Sequence, residues 1–279
     1  MEYTEVLFTP GNDDFTPEIL SAVLAEAGYE MFENKGTGVA AYIPTSGFDS
    51  EILTALLDPA IPAFAGLTWE SRRVPFVNWN AEWEKNFEPV EVEDKLLIRA
   101  EYHAPQPGIE HEIVIRPGMA FGTGHHATTW MMASKMMNLP FNGTKVLDMG
   151  TGSGVLAILA QKLGAAEVLA VDYDDNAAEN ALINTQLNNT PQVKVQCGTM
   201  QDVRDTSFDT VLANINRNII LQDVAAYADA MKQGGNLLVS GFYTEDLGLV
   251  AEAARQQGLV FEDSMSKNNW CLAAFRKNQ

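Results

Sequence analysis

The chain holds little of what disulfide, metal or membrane chemistry requires. Its 279 residues include two cysteines, Cys197 and Cys271, far apart and without metal-type spacing, which argues against a disulfide framework or a zinc site. No apolar run reaches the ~20 residues a membrane helix needs. The first residues, Met1-Glu2-Tyr3-Thr4-Glu5, lack the basic start and long apolar stretch of a signal peptide, so a cytoplasmic location is expected. Basic side chains are scarce: 18 Lys and Arg stand against 37 Asp and Glu, giving a net charge of −19. Such a field repels phosphate backbones and argues against a direct nucleic-acid target. Thirteen of the net negative charges fall within residues 1–95. An acidic arm of that kind attracts a basic protein, although acidity alone also serves solubility. The remaining composition, 46% hydrophobic and 20% charged, is that of a globular protein long enough for two domains.

What is present is concentrated between Lys145 and Leu156. A largely apolar run, Val146 to Met149, ends in Gly150, Gly152 and Gly154, and an apolar helical pattern follows. A strand, tight turn and helix of this kind lets a ligand approach bare backbone, because glycine has no Cβ. The next strand-like run, Val168–Val171, ends in Asp172, 22 positions after Gly150. A carboxylate there can accept hydrogen bonds from both hydroxyls of a ribose. The dinucleotide fingerprint is incomplete, since Val155 stands where G-x-G-x-x-G needs its third glycine. That mismatch disfavours a nicotinamide or flavin and suits S-adenosyl-L-methionine, which has no phosphate to cradle. Asp148 places a second carboxylate near a cofactor bearing a sulfonium and an ammonium group.

Residues 1–75 read as a small α+β unit of order βαββαβ, resembling a ferredoxin-like sandwich. Glu5–Phe8 is a strand, and a helix capped by Thr16 follows. Strands at Tyr29–Glu33 and Val39–Ile43 form a hairpin, a second helix starts at Asp49 or Ser50, and Leu67–Val74 closes the unit. Residues 76–95 read as a linker, with Trp79, Trp83 and Phe87 forming one aromatic stripe on a short helix. From 96 to 279 the chain alternates strand and helix after two strands, Leu96–Ala100 and Glu112–Ile115, and ends in a strand pair, Leu259–Glu262 and Trp270–Phe275. Alternation predicts a parallel sheet with helices on both faces and an antiparallel edge from the terminal hairpin. Gly150, Asp172 and Asn214 all fall at the carboxyl ends of strands, where ligands of such sheets bind.

Two further segments carry chemistry. The loop Phe121-Gly122-Thr123-Gly124-His125-His126 leads into a helix at Ala127-Thr128-Thr129, so that Thr128 or Thr129 can bond a cofactor and Phe121 can cover its sulfonium. The adjacent histidines share no helix face and have no acidic partner at helical spacing, so no metal site is expected. Asn214 offers an acceptor oxygen beside a transferable methyl, or else caps the helix that starts near Arg217.

Together these residues resemble the ribosomal protein L-eleven methyltransferase family, of the seven-stranded Rossmann-like class dependent on S-adenosyl-L-methionine. The resemblance rests on Phe121–Gly124 with His126 and Thr128-Thr129, on Val146–Gly154, on Leu163-Gly164-Ala165-Ala166 leading to Val171-Asp172, on Ala213-Asn214-Ile215 and on Trp270-Cys271. It implies Thr129, Gly150, Asp172 and Asn214 as cofactor contacts, with Asn214 also nearest the chemistry; Phe121, Gly152 and Asp148 complete the expected site. It further implies N-methylation of lysine side chains and the α-amine of a basic ribosomal protein at the base of the large-subunit stalk, gripped by the N-terminal domain. A monomer with no membrane attachment is expected. The chain departs from the family at Thr151, where cysteine is usual, and at Asn216-Arg217, where Leu-Ala is usual. Alternatives are a methyltransferase acting on another protein or a small molecule, a nicotinamide-dependent oxidoreductase, and a non-catalytic assembly factor.

Overall fold

A computed structural model describes residues 3–11, 17–36, 38–57, 61, 64–74, 87–117, 122–204 and 207–278. The chain divides into two compact units, Met1–Trp79 and Asn80–Gln279.

The first unit runs β1 (Tyr3–Thr9), α1 (Pro17–Glu26), β2 (Met31–Lys35), β3 (Gly38–Pro44), α2 (Ser50–Leu56) and β4 (Thr68–Val74). Its sheet order is β2-β3-β1-β4 with every neighbour antiparallel, the arrangement of a ferredoxin-like βαββαβ sandwich. Alternation along β1 and β3 sends Val6, Phe8, Val39, Ala41 and Ile43 into a core with Leu20, Leu24 and Leu53. Asp49 caps α2, its carboxylate accepting from the Glu51 and Ile52 amides. The expected cap Thr16 lies outside the described residues. β2 begins two residues later than the sequence suggests. Tyr29 is buried in the core and its amide donates to Leu24 O at 3.1 Å, so it belongs to the close of α1.

The second unit opens on a three-stranded sheet, β5 (Val90–Val92), β6 (Leu96–Ala100) and β7 (His111–Ile115), in the order β5-β6-β7. Residues 90–95 are therefore part of this unit rather than of a linker, because Val90–Val92 pairs with Leu96–Ile98. Trp79 and Trp83 of the aromatic stripe lie outside the described residues. Phe87 is buried and meets the His125 ring edge-on at 4.7 Å.

The main elements follow: α3 (Ala127–Met136), β8 (Lys145–Met149), α4 (Val155–Lys162), β9 (Glu167–Asp172), α5 (Asp175–Leu187), β10 (Val193–Cys197), β11 (Phe208–Asn214), α6 (Arg217–Ala230), β12 (Met231–Tyr243), α7 (Leu247–Gln256), β13 (Leu259–Lys267) and β14 (Trp270–Lys277). They form a seven-stranded sheet of order β10-β9-β8-β11-β12-β14-β13, in which β14 alone runs against the rest. Neighbouring strand residues feed opposite cores. Val146 packs with α3 and α4, whereas Leu147 packs with α6 and α7. The terminal hairpin does not simply add an antiparallel edge, since β14 inserts between β12 and β13. Cys271–Phe275 is buried throughout, which requires cover on both sides, while β13 is mostly exposed and suits the edge. The strand order reverses between β8 and β11, which opens a crevice at the carboxyl ends of β8, β9 and β11. Among the described residues no helix is long and apolar enough to cross a membrane.

Candidate active site

The Gly-rich turn after β8 is tied to β9 by its own backbone. The Gly150 and Thr151 amides donate to Val171 O at 2.8 and 3.0 Å, and the Gly152 amide donates to Asp172 Oδ2 at 2.8 Å. Gly150 sits at φ +68°, and a Cβ there would lie 2.2 Å from Ile215 Cγ2. Only glycine allows both the left-handed turn and that approach. Asp172 Oδ1 accepts from the Asp174 amide at 3.1 Å, so the carboxylate is held at both oxygens. Each oxygen retains a lone pair for a further donor, which is what a pair of ribose hydroxyls requires.

Asp148 lies beneath the turn, 1% exposed. The Thr151 hydroxyl donates to its Oδ2 at 2.6 Å, but no donor of hydrogen-bonding geometry meets Oδ1. Burial pushes its pKa up to about 7, and the negative charge of Asp172 adds to the rise; the Thr151 hydroxyl and the Ala157 amide pull the other way. The departure at Thr151 thus supplies Asp148 with an O–H donor where the usual cysteine would offer a weaker S–H.

Asn214 ends β11. Its Nδ2 donates to Thr129 Oγ1 at 3.2 Å, and its Oδ1 is buried without a partner. It does not cap α6: that role falls to Asn216, whose Oδ1 accepts from the Ile219 amide at 3.2 Å. Arg217 turns away to Asp246, Nη1 to Oδ1 at 2.6 Å. The Asn216-Arg217 departure therefore serves the helix start and an ion pair, and leaves Asn214 to the crevice.

The structure also separates the two threonines of α3. His126 caps this helix, its Nδ1 accepting from the Thr128 amide at 3.3 Å and the Thr128 hydroxyl at 2.7 Å. Thr128 is committed to that cap, and Thr129 is the residue that reaches Asn214. Burial holds the His126 pKa below its ordinary value, which keeps the ring neutral and able to accept. His125 meets Phe87 edge-on and takes no part in the cap. Gly122 rests on the Gly-rich turn, with a Cβ there only 3.2 Å from Ser153 Oγ. Phe121 lies outside the described residues. Among the described residues no cluster of His, Cys, Asp and Glu could hold a metal ion.

Two features escaped the sequence reading. One is the aromatic wall in which His126 packs on Trp270 at 4.6 Å and Trp270 on Tyr243 at 4.4 Å. Tyr243 and Trp270 are cross-strand partners of β12 and β14, a pairing only the register reveals. The other is Ser153 Oγ, buried without a partner and visible in sequence merely as a small residue between glycines.

Two carboxylates, Asp148 and Asp172, stand beside the Gly-rich turn, and Asp148 Oδ1 has no partner of hydrogen-bonding geometry. Pyrophosphate there would face like charge, whereas a cationic ligand with a ribose meets complementary groups. The residues present fit S-adenosyl-L-methionine.

Residues 18–278 match the family "Ribosomal protein L11 methyltransferase (PrmA)". A ribosomal protein L11 methyltransferase of Porphyromonas gingivalis is 45% identical over 262 residues, covering 92% of this chain and 90% of that protein. One from Phocaeicola vulgatus is 38% identical over 279 residues, 99% of each. A solved ribosomal protein L11 methylase of Lactobacillus delbrueckii subsp. bulgaricus superposes with a TM-score of 0.65 at 28% identity, over 69% of this chain and 100% of that one. With the crevice as described, and with matches that run through both units, the chain belongs to the ribosomal protein L11 methyltransferase family.

Proposed function

We propose that the chain transfers methyl groups from S-adenosyl-L-methionine to amines of ribosomal protein L11, lysine side chains and the α-amine among them. The observation that carries this reading is Asn214, whose buried Oδ1 has no protein partner and whose Nδ2 is held by Thr129. When bound, the cofactor would supply an electrophilic methyl on its sulfonium, which an amine would take in line while the departing thioether keeps the electron pair of the broken S–C bond. An amine can attack only with its lone pair free and aimed at that carbon. Asn214 Oδ1 accepts one amine N–H and so turns the lone pair toward the methyl, while Thr129 fixes the amide against rotation. Once it carries the new N–C bond, the acceptor nitrogen would release a proton to solvent.

Asp172 holds the ribose and Gly150 and Gly152 admit the cofactor to the backbone. Asp148 balances its positive charge, which draws that carboxyl back toward its ionised form. The acidic N-terminal unit suits a basic ribosomal protein, whose capture is the role proposed for residues 1–75. Mass spectrometry of purified ribosomal protein L11 after incubation with enzyme and cofactor is the test. Methylated lysines and α-amine are expected; cofactor binding with L11 left unmodified would refute the substrate.

A further inference from the structure

A buried amide outside the expected site joins the two parts of the cofactor crevice. α5 carries Asn180 and Asn184, and its C-cap is Asn188, so that three asparagines follow one another at four-residue spacing. Four helical residues rise ~6.0 Å and two strand residues ~6.6 Å, so side-chain amides at this spacing can stand in for a neighbouring strand. β7 and the residue after it use them in that way. Asn188 Oδ1 accepts from the Val114 amide at 2.9 Å and its Nδ2 donates to Val114 O at 2.6 Å. Two residues on, Asn184 Oδ1 accepts from the Arg116 amide at 2.8 Å, and Asn180 Nδ2 donates to Arg116 O at 3.4 Å.

The middle rung does more than the others. Asn184 is fully buried, and its Nδ2 donates to Ser153 O at 2.8 Å as well as to Asn180 Oδ1 at 3.0 Å. Ser153 belongs to the turn that fastens Asp172 and carries the Thr151 donor to Asp148. Arg116 starts the segment that leads to Gly122, which in turn rests against Ser153 Oγ. One amide therefore ties the turn below the cofactor to the root of the loop that follows β7.

We propose that Asn184 is a positioning residue for cofactor binding: it holds the Gly-rich turn and Arg116, the residue that follows β7, in register with each other. This rests on reading the crevice as the S-adenosyl-L-methionine site. Asn188 provides the control, because it makes the same kind of bonds to the same strand without touching the turn. Calorimetric titration with S-adenosyl-L-methionine, on protein held well below its melting temperature, separates the two roles.

Asn184→Ala is expected to weaken binding at least about tenfold, as loss of a buried hydrogen-bonded amide implies, with Asn188→Ala within about twofold of the parent at a similar loss of Tm. The KM for the cofactor rises with the same variant while kcat at saturating cofactor stays within a few-fold. Asn184→Asp keeps the acceptor for Arg116 and loses the donor to Ser153, so it is expected to weaken binding as well; it answers the question if the alanine variant does not fold. Equal cofactor affinity in Asn184→Ala, Asn184→Asp and Asn188→Ala overturns the inference. A parent enzyme that binds no S-adenosyl-L-methionine overturns the reading of the crevice itself.

Discussion

Glu5, on the open face of the first unit's sheet, and Asp148, at the end of β8 in the second, are buried to nearly the same degree, 4% and 1% exposed. Their surroundings are opposite. Glu5 accepts from Lys35 Nζ and from the Tyr42 hydroxyl, each at 3.0 Å, and from Arg72 Nε. Arg72 above all, with Lys35 and Tyr42, holds its pKa down to about 2 against the cost of burial. Asp148 has one hydroxyl for a partner and is pushed up to about 7. A buried carboxylate with both oxygens partnered is architecture. One left with an unpartnered oxygen beside a Gly-rich turn is the exception that calls for a functional reading. Asn214 and Ser153 carry the same mark, and both border the same crevice.

The largest test of that contrast is Asn214→Ala, which removes the unpartnered acceptor while leaving both cores intact. It is expected to lower kcat roughly 100- to 1,000-fold, the loss seen when a positioned polar group is removed from a transition state. Calorimetry should still find cofactor bound, and an unimpaired rate would remove Asn214 from the chemistry.

Asp148→Asn comes next. In the free enzyme the raised pKa of Asp148 means that its stabilising protonated state is fully kept below the ordinary 3.8 and lost as pH rises toward about 7. The variant should be free of that decline and exceed the parent at pH 8 by on the order of 2 kcal/mol, read from denaturant melts across pH 4–8. Parallel pH curves for the two proteins would show that Asp148 is not strained.

Asp172→Ala removes the acceptor for the Gly152 amide and, on the proposed function, for the ribose. Binding of S-adenosyl-L-methionine should weaken about 10- to 100-fold by calorimetry, with little change in Tm beyond the lost Gly152 bond.

The smallest effect is expected from Glu5→Gln. The depressed pKa of Glu5 contributes stability that is present above the ordinary 4.5 and lost as pH falls toward about 2. Its cationic partners are themselves 70% and 37% exposed, so water takes up much of the interaction and the loss at pH 7 should be about 1 kcal/mol. Cofactor affinity should not move. A change in affinity would mean that Glu5 is not confined to the architecture of its own unit.

Much of this contrast is legible in the chain. Gly150, Gly152 and Gly154 followed by Asp172 announce a nucleoside site, because turn geometry and strand length are local properties. Asp148 could be placed near it, but its missing partner could not, since satisfaction of a buried oxygen depends on every segment that packs around it. Thr128 and Thr129 are indistinguishable in sequence; the His126 cap decides between them. The same holds for Asn214 and Asn216, two residues apart on the way into α6, of which the second meets the free amides of the helix. Asn184 reads as one polar residue on a half-exposed helix until β7 is seen beside it.

The amino-acid order by itself determined the alternation of strand and helix, the glycine turn, the acidic residue that ends β9 and the excess of negative charge. Each follows from dihedral preference, periodicity or composition, which need no distant partner. Only the tertiary structure decided that β14 slides inside the sheet, that Asn214 bonds Thr129 and leaves its Oδ1 without a partner, and that Asn184 binds the turn to Arg116. Those outcomes rest on hydrogen bonds between segments up to 85 residues apart, whose geometry exists only once both cores have formed.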